Sequence, residues 1–199
     1  MSTDFQQARH AMVEQQVRPW DVLDPRVLAV LMQVRREDYV PQRHRKLAFS
    51  DVPLPLDHGE VMMKPVVEGR VLEVGTGTGF ITACLAALVR DVTSIERHAD
   101  FIERARARLS ADGINNVRLE CGDVFAWQPG RQFDAICVTG AVATNPERFG
   151  AWLKPGGRLF VVHGQSPVQE ALRITRRGEG FHRESLFETD ILYLHGAAP

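Results

Sequence analysis

Apolar and polar positions change their spacing along this chain, and the change divides it into two regions. In the first region, apolar residues recur at helical spacing over residues 4–18. They do so again after Asp24-Pro25, where Asp24 fits an N-cap and Pro25 fits the first helical position. Residues 42–67 then carry little periodicity and several prolines, which is typical of extended and looped chain. The pattern predicts an N-terminal extension of helices and loops over residues 1–67.

From residue 68 onward, short apolar runs alternate with helical patterns. This alternation favours a parallel sheet with its helices wound on both faces. A final pair of strands around the turn at Gly178 predicts an antiparallel hairpin. We therefore expect one α/β domain with a doubly wound, mostly parallel seven-stranded sheet, whose core is residues 68–163 and whose C-terminal hairpin is residues 164–199. The seven predicted strands are Val71–Val74, Val92–Glu96, Val117–Leu119, Phe133–Thr139, Arg158–Val162, Glu170–Arg176 and Leu186–Leu194.

A glycine-rich turn follows the first strand of this region, in the stretch VLEVGTGTGF. Gly75, Gly77 and Gly79 lack a Cβ, so the backbone can turn sharply and approach a ligand closely. Glu73 precedes them by two positions, where an acid would repel a pyrophosphate but can hold a cationic amine. The G-x-G-x-G spacing also differs from the G-x-G-x-x-G of dinucleotide folds, which disfavours a dehydrogenase. The stretch resembles motif I of S-adenosylmethionine (SAM) methyltransferases; an ordinary strand-turn-helix corner is the alternative.

Polar residues also follow the next three strands, at the sheet edge where such folds bind ligands. Glu96 ends the second strand, and an acid there can accept both hydroxyls of a ribose. Gly122 and Asp123 follow the third strand, where an acid can meet the exocyclic amine of adenine. Thr139 ends the fourth strand, beside the expected position of a methyl donor. Matches at four successive strand ends, in the right order, favour SAM as the cofactor.

Composition limits the classes of partner. The 199 residues include 24 basic and 25 acidic side chains, a formal net charge of -1, so nothing demands a nucleic-acid or membrane partner. The polar start of the chain and the lack of a long apolar run predict a cytoplasmic protein. The three cysteines have no C-x-x-C spacing, and no cluster of His, Cys and Asp has the spacing of metal ligands, so no metal is expected.

Longer motifs resemble one methyltransferase family over most of the chain. VRREDYVP, AFSDVPLPLDHGEVMM, SIER, FDAICVTGA and LKPGGRLFVVHG are similar to phrases of the protein-L-isoaspartate O-methyltransferases. SIER and the PLPL phrase are the more specific ones, because many methyltransferases share the glycine motif. The resemblance implies methylation of the free carboxylate of isoaspartyl residues for protein repair. It also implies isoaspartyl proteins or peptides as partners and a monomer or weak oligomer.

The resemblance implies a set of site residues as well. S-adenosyl-L-homocysteine would be the product left by SAM. The candidate catalytic positions are Met63, His58 and Thr139. His58 lies in the loop expected to close over the cofactor, and a solvent-facing role is its alternative. The candidate cofactor-binding residues are Glu73, Gly75, Thr76, Gly77, Gly79, Glu96, Arg97, Gly122, Asp123 and Thr139.

The chain departs from the family pattern in two places. Val61 and Met63 stand where the family has Thr and Ser, so two hydroxyl donors near the reacting carboxylate are lost. Two alternatives therefore stay open: a methyltransferase for another, smaller acceptor, and a SAM-binding regulatory protein without catalysis. The chain also reaches its first core strand at Val71 shortly after Pro65, which leaves no room for a helix that the family carries there.

Overall fold

The computed structural model describes residues 4–20, 22–50, 52, 54–59, 61–62 and 71–199. Within these ranges, a seven-stranded sheet forms the centre of the molecule, in the order β5-β4-β3-β6-β7-β8-β9. The first five of these strands are parallel neighbours, while β8 runs antiparallel to both β7 and β9. A separate two-stranded antiparallel pair, β1 and β2, precedes the sheet. The strands are β1 (Leu54–Pro55), β2 (Val61–Met62), β3 (Val71–Val74), β4 (Val92–Glu96), β5 (Val117–Cys121), β6 (Phe133–Val142), β7 (Leu153–Gln165), β8 (Val168–Arg177) and β9 (Gly180–Thr189).

The first two helices of the N-terminal extension form where the sequence predicts them, but the short helix Arg36–Tyr39 was not predicted. Asp24 caps the second helix by accepting a hydrogen bond from the amide of Arg26, and Pro25 fills its first position. The first helix continues as a π-helical turn over Val13–Val17 and a 3-10 turn over Arg18–Trp20. The α-helices are α1 (Phe5–Met12), α2 (Pro25–Gln33), α3 (Arg36–Tyr39), α4 (Phe80–Leu88) and α5 (Ala99–Ala111), with further 3-10 segments at Gln42–Leu47, Asp57–Gly59 and Pro146–Trp152.

Two hydrophobic cores lie on opposite faces of the sheet. Helices α1 to α5 cover one face, where Val71 packs with residues such as Leu31, Phe80 and Phe101. Leu72 and Val74, which alternate with Val71 along β3, belong to the second core. That core is completed by the 3-10 segment Pro146–Trp152 and by aromatic side chains near it. Because β3 is buried on both faces, its sequence is almost continuously apolar, and Glu73 is the exception.

The fold class agrees with the sequence-based expectation, but the last strand does not lie where the apolar pattern placed it. Strand β9 spans Gly180–Thr189 rather than Leu186–Leu194, although the turn at Gly178 is in place. Most residues of β9 are exposed because it forms the edge of the sheet, so it has little hydrophobic alternation. The apolar residues after it instead form a tail that returns to β6, where Tyr193 pairs with Ala141.

None of the helices that the structure describes is long and apolar enough to cross a bilayer.

Candidate functional site

The glycine turn lies at the point where the strand order of the sheet reverses. From β3 the chain proceeds to β4 and β5 on one side, and then crosses to β6 on the other side of β3. In open α/β sheets, ligands bind outside the carboxyl ends of the strands at such a point. The turn that connects β3 with α4 therefore occupies the expected position for a ligand site.

The three glycines adopt backbone conformations that side chains rarely adopt, with φ of 95° at Gly75, 52° at Gly77 and 84° at Gly79. A side chain at position 75 is also excluded by a steric clash, because a Cβ there would lie 2.3 Å from Oγ1 of Thr139. Around Gly77 the space is more open: the nearest neighbour of a Cβ would be the side chain of Leu56, at 3.7 Å. The middle of the turn can therefore be approached closely by a ligand.

Glu73 lies inside the core beneath this turn, fully buried. Its Oε2 accepts hydrogen bonds of 2.5 Å from the hydroxyls of both Thr82 and Ser94, and Ser94 is in turn 2.6 Å from Oγ1 of Thr76. Its Oε1 has no hydrogen-bond partner among the described residues. Burial raises the pKa of Glu73 to about 8, with a smaller contribution from the nearby carboxylate of Glu96. The group supports the turn from below, and its contact with a bound amine stays a prediction.

Glu96 ends β4 and points toward the turn. Its Oε2 accepts a hydrogen bond from the amide of Gly77 at 3.1 Å, and its Oε1 accepts one from the amide of His98 at 2.9 Å. The side chain is largely buried, so these two amides fix the carboxylate. A carboxylate held beside a glycine turn can accept further hydrogen bonds from a diol, since each oxygen has two lone pairs.

Thr139 of β6 connects the turn to the neighbouring strand. Its hydroxyl lies 2.8 Å from the carbonyl oxygen of Val74 and 2.9 Å from that of Gly75, and it can donate to either. Among the described residues these are its two close polar neighbours, so the hydroxyl orients the backbone at the start of the turn. The structure thus brings Thr139 to the predicted edge of the site, with a structural contact that the sequence did not indicate.

The other candidate cofactor residues lie along the same edge. The amide of Gly122 donates to the carbonyl of Glu96 at 2.8 Å, and a Cβ at Gly122 would meet nothing within 4 Å. Asp123 is exposed, and its carboxylate accepts a hydrogen bond from the amide of Phe125 at 2.9 Å. Arg97 is exposed beside Glu96. The space beside Gly122 is open on the side where the sequence predicts an adenine.

Of the candidate catalytic residues, Met63 lies outside the residues that the structure describes. His58 is described, in the 3-10 turn between β1 and β2, and its side chain is exposed. Its ring stacks on that of His98 and its Nε2 lies 3.1 Å from Oδ1 of Asp100. Leu56 of the same loop lies over Gly77, so the loop does approach the glycine turn as expected.

Two features of the site were not identified from the sequence. Ser94 and Thr82 hold Glu73, and only the presence of Ser94 within the SIER motif pointed toward the site. The C-terminal tail is the second feature, because Leu194 packs on Gly140 and donates its amide to the carbonyl of Ala141 at 2.9 Å. The tail therefore covers β6 just beyond Thr139, next to the turn.

Comparison with known sequences gives one consistent family. The family model for Protein-L-isoaspartate(D-aspartate) O-methyltransferase (PCMT) matches residues 7–194. Protein-L-isoaspartate O-methyltransferase 1 of Rhodopseudomonas palustris (strain HaA2) is 38% identical over 189 residues, covering 88% of this chain and 77% of the relative. Protein-L-isoaspartate O-methyltransferase of Methylorubrum extorquens (strain PA1) is 41% identical, covering 88% and 82%.

Comparison with solved structures supports the fold. A crystal structure from Plasmodium falciparum, described as a protein-L-isoaspartate O-methyltransferase in complex with S-adenosyl-L-homocysteine, aligns with a TM-score of 0.80. The alignment covers 97% of this chain and 99% of that one at 20% identity, so it carries the fold alone.

Proposed function

This chain belongs to the protein-L-isoaspartate(D-aspartate) O-methyltransferase family, and we propose that it transfers the methyl group of SAM to the free carboxylate of isoaspartyl residues in damaged proteins. The observation that carries the proposal is the glycine turn at the switch point, with Glu96 bound to the amide of Gly77 and Thr139 bound to the start of the turn. The family assignment supplies the reaction, and these residues supply a site suited to it.

The residues around the turn fit SAM. The backbone is open to a ligand at Gly77 and Gly122, and the carboxylate of Glu96 is held where a ribose diol can be bound. The buried Oε1 of Glu73, close to the turn, has no hydrogen-bond partner among the described residues. When bound, SAM supplies an electrophilic methyl group. Glu96 would hold the ribose, Asp123 the adenine amine, and the turn the amino-acid end.

The reaction requires little acid–base catalysis by the protein. A free carboxyl group has a pKa of about 4 or below, so the isoaspartyl carboxylate is already a nucleophile at neutral pH. The protein has to hold that carboxylate and the methyl donor together in the correct orientation and to exclude water. Loop 54–59 on one side of the turn and the tail around Leu194 on the other are placed for this task. The methyl ester that the family forms cyclises to a succinimide without further help from the enzyme.

A second candidate function is methylation of another, smaller acceptor. The observation that favours it is the loss of two hydroxyl donors at Val61 and Met63, which the resemblance places near the reacting carboxylate. Without those donors an anionic acceptor is held less well, because a carboxylate transferred from water needs hydrogen bonds to replace its hydration. A less polar acceptor would not need them.

The experiment is methyl transfer from labelled SAM to an isoaspartyl peptide, with the same peptide containing ordinary aspartate as its control. We expect transfer to the isoaspartyl peptide alone. Calorimetry on the same preparation should show SAM binding that weakens roughly 10-fold or more in Glu96→Gln, since one charged acceptor is lost. The exposed Glu103→Gln on α5 is the matched variant and should leave binding unchanged.

The two measurements separate the candidate functions. SAM binding without transfer to the isoaspartyl peptide would overturn the repair assignment and favour the smaller acceptor or a regulatory role. An absence of SAM binding would overturn the cofactor site itself. A cytoplasmic location and a monomeric or weakly oligomeric state are part of the same proposal, and size-exclusion chromatography with light scattering tests the latter.

A further inference from the structure

Three potential metal ligands from two separate elements meet beside the candidate cofactor site. His58 belongs to the 3-10 turn Asp57–Gly59, while His98 caps α5 and Asp100 lies in its first turn. One ligand atom from each of the three lies within 4.8 Å of the other two. The His58 and His98 rings are parallel within 3°, with their centroids 4.1 Å apart. Sequence spacing does not reveal this cluster, because β2, β3, α4 and β4 lie between His58 and the other two residues.

We propose that His58, His98 and Asp100 bind one divalent transition metal ion of the zinc class. Two imidazole nitrogens and one carboxylate oxygen, with water in the remaining position, are a donor set that suits such ions. With metal–ligand bonds of about 2.0–2.2 Å, neighbouring ligands of a tetrahedral ion stand about 3.3–3.6 Å apart. Nε2 of His58 and Oδ1 of Asp100 are already 3.1 Å apart, so one edge of that tetrahedron is nearly formed.

The third ligand needs a rearrangement. The ring of half-buried His98 is stacked parallel on that of His58, and imidazole binds a metal in the plane of its ring. His98 therefore has to rotate out of the stack before its nitrogen can meet an ion bound by the other two. The exposed fraction of the side chains is 43% for His58 and 49% for Asp100, which leaves an open path for an ion and its waters. Phe101 packs edge-on against both imidazoles and holds the cluster on its inner side.

The surrounding charges leave one carboxylate oxygen for an ion. Oδ2 of Asp100 pairs with Arg104, and Oδ1 of the same group faces His58. Arg104 also pairs with Asp57 at 2.7 Å, and Asp57 pairs with Arg43 at 3.2 Å. The two carboxylates and two guanidinium groups balance, so a bound ion does not enter a positively charged surface.

An ion here would join the loop over the glycine turn to the start of α5. The backbone amide of His98 donates to Glu96, the residue proposed to hold the ribose, so the metal site adjoins the cofactor site without sharing a ligand. Methylation of a carboxylate does not require the ion. Its effect would be to fix the position of loop 54–59, which carries Leu56 over Gly77.

The test uses the untagged full chain after dialysis against a chelator. Zinc is titrated in competition with a chromophoric chelator, and cobalt(II) is added separately because its visible absorption reports the ligand set. We expect one ion per chain. The variants His58→Gln, His98→Gln and Asp100→Asn each lose a proposed ligand. Their affinity for zinc should therefore fall by more than the roughly 10–100-fold that is typical when an outer-shell partner of a ligand is lost. His182→Gln, on the exposed edge strand β9, is the matched control and should bind as the parent does.

Thermal unfolding gives a second readout that does not depend on methyl transfer. Zinc should raise the unfolding midpoint of the parent and of His182→Gln, because it binds the folded chain in preference to the unfolded one. It should have no such effect in His58→Gln/His98→Gln. Equal zinc affinity in the parent and in that double variant, or an absence of zinc binding to the parent, would overturn the proposal. Circular dichroism checks that the variants fold.

Discussion

At the scale of single residues, Glu73 is the side chain whose environment differs most from water. It is fully buried, and burial raises its pKa to about 8, well above that of an unfolded glutamate. The hydroxyls of Ser94 and Thr82 stabilise the charged form but do not offset the desolvation. A motif acid that the sequence predicts to hold a cationic amine is thus mostly protonated at neutral pH in the structure.

The raised pKa predicts how stability depends on pH. Below about pH 4 the carboxyl is protonated in both states, and its contribution to stability is fully present. Between the unfolded pKa and about 8 only the unfolded chain loses the proton, so the free energy of unfolding falls as pH rises, by at most about 1.4 kcal/mol per pH unit. Glu73→Gln should remove this slope, and the variant should gain stability relative to the parent between pH 5 and 8.

Urea unfolding of both proteins across that pH range measures the difference. Glu103→Gln, an exposed substitution of the same kind, should retain the slope of the parent. A parent and a Glu73→Gln variant with parallel pH profiles would contradict the assignment of the slope to this carboxyl.

At the scale of elements, the sequence predicts buried strands well and exposed ones poorly. Strand β4 falls at its predicted bounds, because a strand buried on both faces is marked by its own apolar residues. The edge strand β9 was predicted wrongly, because its exposed residues carry no alternation, and the apolar residues that follow it belong to the tail over β6. The loop around His58 was expected near the cofactor. Its contacts with the start of α5 join residues that are far apart in the sequence, so no local pattern predicts them.

That loop yields a prediction about ion pairs. Asp57 accepts hydrogen bonds from Arg104 and Arg43, which lower its pKa, and the three residues tie loop 54–59 to α5 and to the N-terminal extension. Exposed pairs contribute little to stability, so Asp57→Asn should leave the unfolding midpoint nearly unchanged. It should still weaken SAM binding by less than about tenfold, because the loop over Gly77 is held less firmly.

Calorimetry at low and high salt, about 0.05 M and 0.5 M, tests this explanation. Added salt screens exposed charges and should bring the affinity of the parent toward that of the variant. Asp134→Asn breaks a similarly exposed pair with Lys154, away from the glycine turn, and should change neither affinity nor its salt dependence. If the two variants bind SAM alike, the ion pairs of Asp57 have no part in positioning the loop.

At the scale of the whole molecule, the N-terminal extension is part of the core rather than an appendage. Tyr39 of α3 is fully buried against Phe80 of α4 and donates a 2.5 Å hydrogen bond to Asp112 at the end of α5. The sequence predicted α1 and α2 of this extension from their apolar spacing, but not α3. It did not show that polar groups join them, because Arg9 and Glu37, both charged, look like surface residues until the fold buries them together.

The buried pair of Arg9 and Glu37 connects α1 with α3, and Arg9 also donates to the carbonyl of Met32 at 3.0 Å. Only 9% and 5% of the two side chains are exposed, so removal of one partner leaves an uncompensated buried charge. Arg9→Met should therefore cost on the order of 3–5 kcal/mol of unfolding free energy, while Arg9→Met/Glu37→Leu should regain most of it, since apolar residues can replace a buried pair. Urea unfolding of the two variants and the parent gives the comparison.

Arg18→Met, which breaks the exposed pair with Glu14, is the control and should change stability little. A double variant as unstable as Arg9→Met would mean that the N-terminal layer depends on the charges themselves rather than on the packing around them.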